Sequence, residues 1–221
     1  MTRRHPGPAD PPAGCRRCGA CCTAGGPTLH LSDRDLVTGG HLRPEDLVTL
    51  RAGEIARDPR DGRLLHLPAE MIKVRGRAPG TWACRFYAPR HRSCRIYARR
   101  PLECRVLDCR RPAAAAGLFL QDLLSRRDLL AEAPAVLELV EAHDRAFPPK
   151  HLYAWAAAPG AAGRLAQAQE TEARFRARAA RRLGLSAEAL DFVLGRPLDR
   201  LLEAAGILPG RQAPSPRPRE A

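Results

Sequence analysis

Four cysteines stand within eight residues in CRRCGACC, at Cys15, Cys18, Cys21 and Cys22. Two-residue gaps let the chain turn back and aim two sulfurs at one ion or cluster. The first three positions repeat the rhythm of a bacterial ferredoxin run. The fourth departs from it, because that pattern leaves a gap before its last cysteine and continues to a proline. As neighbours, Cys21 and Cys22 bridge each other only with strain, so a disulfide framework suits this spacing poorly. On a helix, positions 15, 18 and 22 share one face with 21 close by; on an extended chain, 21 and 22 point in opposite directions. Either a turn bends both thiolates toward one site, or one of the pair serves a second site or the surroundings of the first.

The other four cysteines lie in TWACRFYAPRHRSCRIYARRPLECRVLDCRR. Cys84, Cys94 and Cys104 are each separated by nine residues, and Cys109 follows after four more. None of the eight falls outside these two stretches, whereas cysteines packed as small hydrophobes would scatter through the rest of the chain. Eight soft donors make two four-thiolate sites, or one site with thiols to spare. Thiolates select zinc, iron–sulfur clusters or Cu(I) over hard cations such as Mg2+. His30 and His91 lie near the cysteines at spacings that do not suit ligation. They read as a half-buried strand histidine and a solvated turn histidine. Glu103 and Asp108, beside Cys104 and Cys109, read as surface acids. No HExxH, nucleophile elbow or phosphate-binding glycine loop occurs, and GGPT at 25–28 is a turn.

Arg85, Arg95, Arg100 and Arg105 each lie within four residues of a cysteine. A four-thiolate site carries excess negative charge, which nearby guanidinium groups offset while favouring the thiolate form. Arg100, Arg105 and Tyr97 are expected to surround the ligands, with Tyr97 and Trp82 as core or site walls. Arg90, Arg92, Arg99, Arg110 and Arg111 read as an exposed basic patch.

Taken together, CRRCGACC, then Cys84 with Phe86 and Tyr87, then CRIYARRPLECR resembles the YkgJ-type cysteine-cluster family, a zinc- or iron-chelating domain. That family's last element, C-x-I-Y-x2-R-P-x2-C-R, is matched by Cys94, Ile96, Tyr97, Arg100, Pro101, Cys104 and Arg105. The likeness covers roughly the first half of the chain. Where the family commonly has an aromatic and a proline, this chain has Val106, Leu107, Asp108 and Cys109, so Cys109 has no place in the pattern. The resemblance implies a metal-binding protein carrying an iron–sulfur cluster of the 4Fe–4S type, with a redox role, or zinc. Members of that family look related to the cysteine-rich part of the flagellin lysine N-methylases, which leaves open a metal-dependent, methyltransferase-like protein-modifying enzyme. All eight cysteines are candidate ligands, and no catalytic residue stands out.

The elements that must position these thiols read as α+β: a small cysteine-rich metal-binding domain with short strands, followed by an α-helical C-terminal segment. Residues 1–14 and the Pro-rich 209–221 read as disordered, 15–112 as the cysteine-cluster domain and 113–208 as the helical segment. TLHLS (28–32) alternates like a strand, Ser32 reads as a helix cap, and Pro44, Glu45 and Asp46 as the opening of a helix. DPRDG (58–62) is a turn. Residues 71–87 read as two strand pieces joined at 76–80, CRIY follows a polar turn, and Pro101 suits the first turn of a helix. Helices are expected over about 113–133, 135–146, 161–183, 186–194 and 197–205. Val136, Leu139, Val140 and Phe147 form a packing stripe with His143 at its boundary. ARFRARAARRL (173–183) reads as a solvated basic face.

The net charge is +13, carried mostly by arginine, while aromatics make up only 5% of the chain. Basic residues spread along the chain with few aromatics for base stacking disfavour a nucleic-acid surface, although a zinc module binding nucleic acid or a protein partner stays open. A protein or redox partner is expected, and no transmembrane segment. The N-terminus lacks an apolar signal region, so the expected setting is a reducing cytoplasm, where clustered cysteines bind metal rather than pair.

Overall fold

The computed structural model describes residues 15–78, 81–108 and 113–208. Cys109, Arg110 and Arg111 lie outside the described residues, as do the two expected disordered ends. The architecture is α+β, built from short antiparallel pairs and a C-terminal helical part.

Strand β1 (Leu47–Leu50) pairs antiparallel with β4 (Met71–Val74), Leu47 opposite Val74 and Leu50 opposite Met71. Three residues in each strand are buried and include both pleat directions, so both faces are covered. Along the outer side of β4, Leu29 N–H donates to Ile72 O at 2.8 Å, and Val74 N–H to Pro27 O at 2.9 Å. TLHLS thus forms single bridges, Thr28 to Lys73 and His30 to Leu123, rather than a full strand. It then turns into a 3-10 turn at Leu31–Asp33, so Ser32 caps nothing. Pro44–Asp46 is likewise a 3-10 turn leading into β1, not the expected helix.

Strands β2 (Ile55–Arg57) and β3 (Leu64–His66) form a hairpin around the DPRDG turn. A second, two-residue hairpin joins β5 (Tyr87–Ala88) to β6 (Ser93–Cys94) across a 3-10 turn at Pro89–His91. In the first half the helices are short: α1 (Ala20–Ala24), α2 (Arg34–Thr38) and α3 (Leu102–Val106).

The expected helix over 113–133 is two pieces, α4 (Ala113–Ala116) and α5 (Arg126–Leu130). Between them the chain docks on residues 29–31: Leu31 N–H donates to Asp122 O, and Leu124 N–H to Leu29 O. Leu124 becomes fully buried, and this tertiary pairing outweighs the helix propensity of the Ala/Leu run. Ser125 then caps α5, its hydroxyl accepting from Asp128 N–H at 3.2 Å. The remaining helices are α6 (Pro134–Ala146), α7 (Pro149–Ala156), α8 (Ala161–Leu183), α9 (Ala187–Val193) and α10 (Leu198–Ala204). Helix α7 was not expected. Pro149 sits in its first turn, where a missing N–H costs nothing.

Helix α9 lies across β1 and the Pro44 turn, and Thr49 Oγ1 donates to Phe192 O at 2.6 Å. Leu29, Leu47, Ile72 and Val74 from the first half share one core with Leu124, Val140, Phe192 and Leu194 from the second. Each such side chain contributes about 1.5–3 kcal/mol by burial.

Buried charge underlies this contact. Arg126, 3% exposed, donates through Nη2 to Glu70 Oε2 and Asp144 Oδ2, both at 2.6 Å, and through Nη1 to Val193 O at 2.8 Å. His143 is fully buried rather than at the edge of its stripe, with Nε2 3.1 Å from Glu172 Oε1 and its ring clustered with those of Phe147 and Phe175. Arg176 leaves the expected solvated face for the interior, donating to Asp191 at 2.7 Å and Gly195 O at 2.9 Å.

Candidate metal centre

The first two cysteines are set by a tight turn. Arg17 takes a left-handed conformation (φ 52°), and its N–H points back to Cys15 Sγ at 3.4 Å. Such a donor stabilises a thiolate. Gly19 follows at φ 82°, a region glycine enters without steric cost. A side chain at Gly19 would also run into the hydroxyl and ring of Tyr87. The chain then enters α1, which carries Cys21 and Cys22.

Three further elements bring in the distant thiols. Cys84 N–H donates to Cys22 O at 2.7 Å, tying the two cysteine stretches together through the backbone. Cys94 ends the β5–β6 hairpin, and α3 carries Cys104. Cys15, Cys18, Cys21, Cys22 and Cys94 line one cavity of about 20 Å3, walled by Tyr87 and Tyr97. Both members of the adjacent pair therefore face the same space, which favours the single-site reading of CRRCGACC.

Cys84 and Cys104 lie within electrostatic reach. A charge on Cys21 acts on Cys22, Cys84, Cys94 and Cys104 alike. All seven described cysteines are free thiols. Among the described residues, no three of His, Cys, Asp and Glu converge closely enough to hold a metal ion, so the thiols are gathered without being drawn to ligand distance. The donor set still fits a soft metal, since five of the described residues around the cavity are cysteines.

The thiols titrate unequally. A hydrogen bond from Cys22, aided by Arg100, brings Cys21 down to about 6, against the opposing effect of burial. Cys22 is pushed up correspondingly, first by that same bond. Burial, then the charges of Cys84, Cys21 and Cys94, raise Cys104 to about 12, and burial is the main cause of the upward shifts at Cys84 and Cys94. So many thiolates cannot all ionise in one place unaided; a bound cation reverses that balance.

Of the expected surrounding residues, Tyr97 lines the cavity, and the Arg100 guanidinium lies 3.8 Å from its ring centre. Arg100 lowers Cys21 and Cys94. Arg105 works further out, donating to Arg100 O at 2.8 Å and pairing with Asp33 at 3.6 Å. Arg85 is engaged by Asp46, and Arg95 by Arg85 O, so these two arginines serve loop structure. Trp82 is neither core nor wall; it is 60% exposed.

Several contributors escaped the sequence reading. Arg92, expected on the surface patch, donates to Cys18 O at 3.1 Å and holds the first turn against the hairpin. Asp33 is fully buried, and its Oδ1 accepts from Leu102 N–H at 2.8 Å, fixing the start of α3. Glu103 is no surface acid. Its Oε2 accepts from Thr28 N–H at 2.8 Å, while Oε1 lies 3.6 Å from Nε2 of the buried His30. The Glu103 carboxylate raises the His30 pKa against burial. Only Gly19 had a readable signal, a glycine directly after the second cysteine; the others depend on distant partners.

Residues 14–115 match the model of the CxxCxxCC family, described as "Putative zinc- or iron-chelating domain", the family that the cysteine pattern resembles. No curated protein and no solved structure matches the chain.

Proposed function

We propose, from the match of residues 14–115 to the model of the CxxCxxCC family, that the thiolates of this stretch hold an iron–sulfur cluster and that the protein has a redox role. The observation that carries this reading is the number of sulfurs in one electrostatic neighbourhood. Seven described cysteines respond to one another or share a cavity, enough thiolates for the four that a 4Fe–4S cluster takes. Cys15, Cys18, Cys21, Cys22, Cys84, Cys94 and Cys104 would supply the ligands, with Cys109 an eighth candidate. When bound, such a cluster supplies reversible electron transfer. The chain's own residues hold the site: Arg17 N–H donates to Cys15 Sγ, Arg100 favours the charged form of Cys21 and Cys94, and the two tyrosines cover the sulfurs.

A second reading rests on the size of the cavity. About 20 Å3 is room for roughly one water-sized sphere, which suits a single zinc ion better than a four-iron cluster. Zinc would then tie CRRCGACC to the β5–β6 hairpin and contribute to folding. Anaerobic purification followed by iron, acid-labile sulfide and zinc determination decides between the two. The expected result is about four irons and four sulfides per chain with broad visible absorbance. Colourless protein with about one zinc per chain and no sulfide overturns the cluster and establishes the structural role.

A further inference from the structure

Every residue lining the thiol cavity comes from residues 15–24 or 81–100. These two stretches hold eight arginines and no acid, against a net charge of +13 for the whole chain. Five of the eight are exposed on the loops around the cavity. Arg16 and Arg17 lie in the first turn, Arg90 and Arg92 at the tip of the β5–β6 hairpin, and Arg99 in the 3-10 turn at Tyr97–Arg99. Arg17 and Arg92 line the cavity itself.

The ion pairs of this region belong to Arg85 with Asp46 and to Arg105 with Asp33. Among the described residues, none of the five has a carboxylate partner, and the side chains of Arg16, Arg90 and Arg99 make no hydrogen bond. Like charges gathered on one rim repel each other, so this concentration does not serve the fold. Inside the rim, Cys18 is the one exposed thiol among the described cysteines. Beside the end of α1 stands Trp82, 60% exposed, a residue type enriched among protein-binding hot spots.

A basic surface attracts nucleic acid as well as acidic protein, and the aromatic rings distinguish the two. Sequence-tolerant binding of single strands needs open ring faces for the bases. Here the Tyr97 ring is covered by Arg100 at 3.8 Å and Arg17 at 5.0 Å, the Phe86 ring carries Arg95 at 6.0 Å, and Tyr87 is buried. Only Trp82 is left to stack. An exposed sulfur at the centre of the rim has no part in holding a phosphate backbone, but it brings the metal centre to the surface where a carrier can approach.

We propose that this face docks a small acidic electron-carrier protein over Cys18, an inference that rests on the redox reading above. One electron passes between carrier and metal centre, so that one is oxidised and the other reduced, and no bond forms or breaks. The probe is a plant-type ferredoxin, an acidic one-electron carrier, titrated by calorimetry into the anaerobically purified full chain. Iron, sulfide and zinc are read in the same sample. Binding should saturate at low ionic strength and disappear in about 1 M salt, where charges are screened beyond roughly 3 Å. Arg90→Glu with Arg99→Glu reverses two rim charges and should weaken binding about fivefold or more. Arg178→Glu with Arg182→Glu makes the same change at exposed positions of α8 and should alter binding by less than about twofold. Circular dichroism checks that both double variants fold. A mixed-sequence single-stranded DNA is the competing probe. No ferredoxin binding by cluster-loaded protein, equal weakening in the two double variants, or tighter rim-dependent binding of the DNA each overturns the docking face. Zinc in place of iron and sulfide overturns the redox reading instead, and the electron carrier with it.

Discussion

Cys21 and Cys22 share a proton unequally, and that asymmetry puts the first negative charge among the thiols. With Cys21 brought down to about 6 by the Cys22 hydrogen bond, the pair carries one negative charge at neutral pH while Cys104, raised to about 12, stays protonated. In chelator-treated protein, iodoacetamide should therefore modify Cys21 with an inflection near pH 6 and leave Cys104 untouched, as read by peptide mass spectrometry. Cys22→Ala should move the inflection toward about 8.5, the ordinary thiol value. An unchanged inflection would assign the effect to the backbone N–H groups of Cys22 and Cys21 and to Arg100 instead. Metal loading must displace the remaining protons, so apparent affinity should rise with pH.

At the scale of elements, the first turn is held by Gly19 beneath Tyr87 and by Arg92 on Cys18 O. Gly19→Ala combines a left-handed backbone penalty of about 1–2 kcal/mol with a collision against the tyrosine hydroxyl. Its cost should be larger in the native background than in Tyr87→Ala, a coupling that a urea-denaturation cycle measures. Equal costs in both would mean that only the backbone matters there. This turn marks how far the sequence could be read. The clustering of thiols follows from their types and spacing, as does the long amphipathic α8. The partners of Arg92 and Glu103 do not, because Cys18 and Thr28 come alongside only through the tertiary fold. Residues 117–124 illustrate the same limit: their composition favours helix, but they run as turns and a bend into the single bridge of Leu123 to His30, flanked by hydrogen bonds to Leu29 and Leu31.

At the scale of the whole molecule, Arg126 joins Glu70 beside β4 to Asp144 of α6 and to the end of α9. Removing it strands two carboxylates, so Arg126→Ala should cost about 3–5 kcal/mol in urea denaturation. Burial acts to raise the Asp144 carboxyl, but His143, Arg126 and Arg51 outweigh it and hold its pKa below the ordinary carboxylate value. A depressed folded-state pKa means a contribution fully present above the unfolded value, about 3.9, and lost as pH falls through the folded one. Acid unfolding below pH of about 4 should therefore be less steep in Asp144→Asn, followed by circular dichroism.

The contact between Thr49 and Phe192 spans 143 positions of the chain. During synthesis every described cysteine leaves the ribosome well before α9 does, so the thiols can assemble while one side of β1 still lacks its cover. For that interval Leu47 and its neighbours face water or a chaperone. A ribosome that stalls after the last cysteine has emerged but before α9 is made would thus carry a nascent chain with its sulfurs in hand and a sticky, half-clad strand.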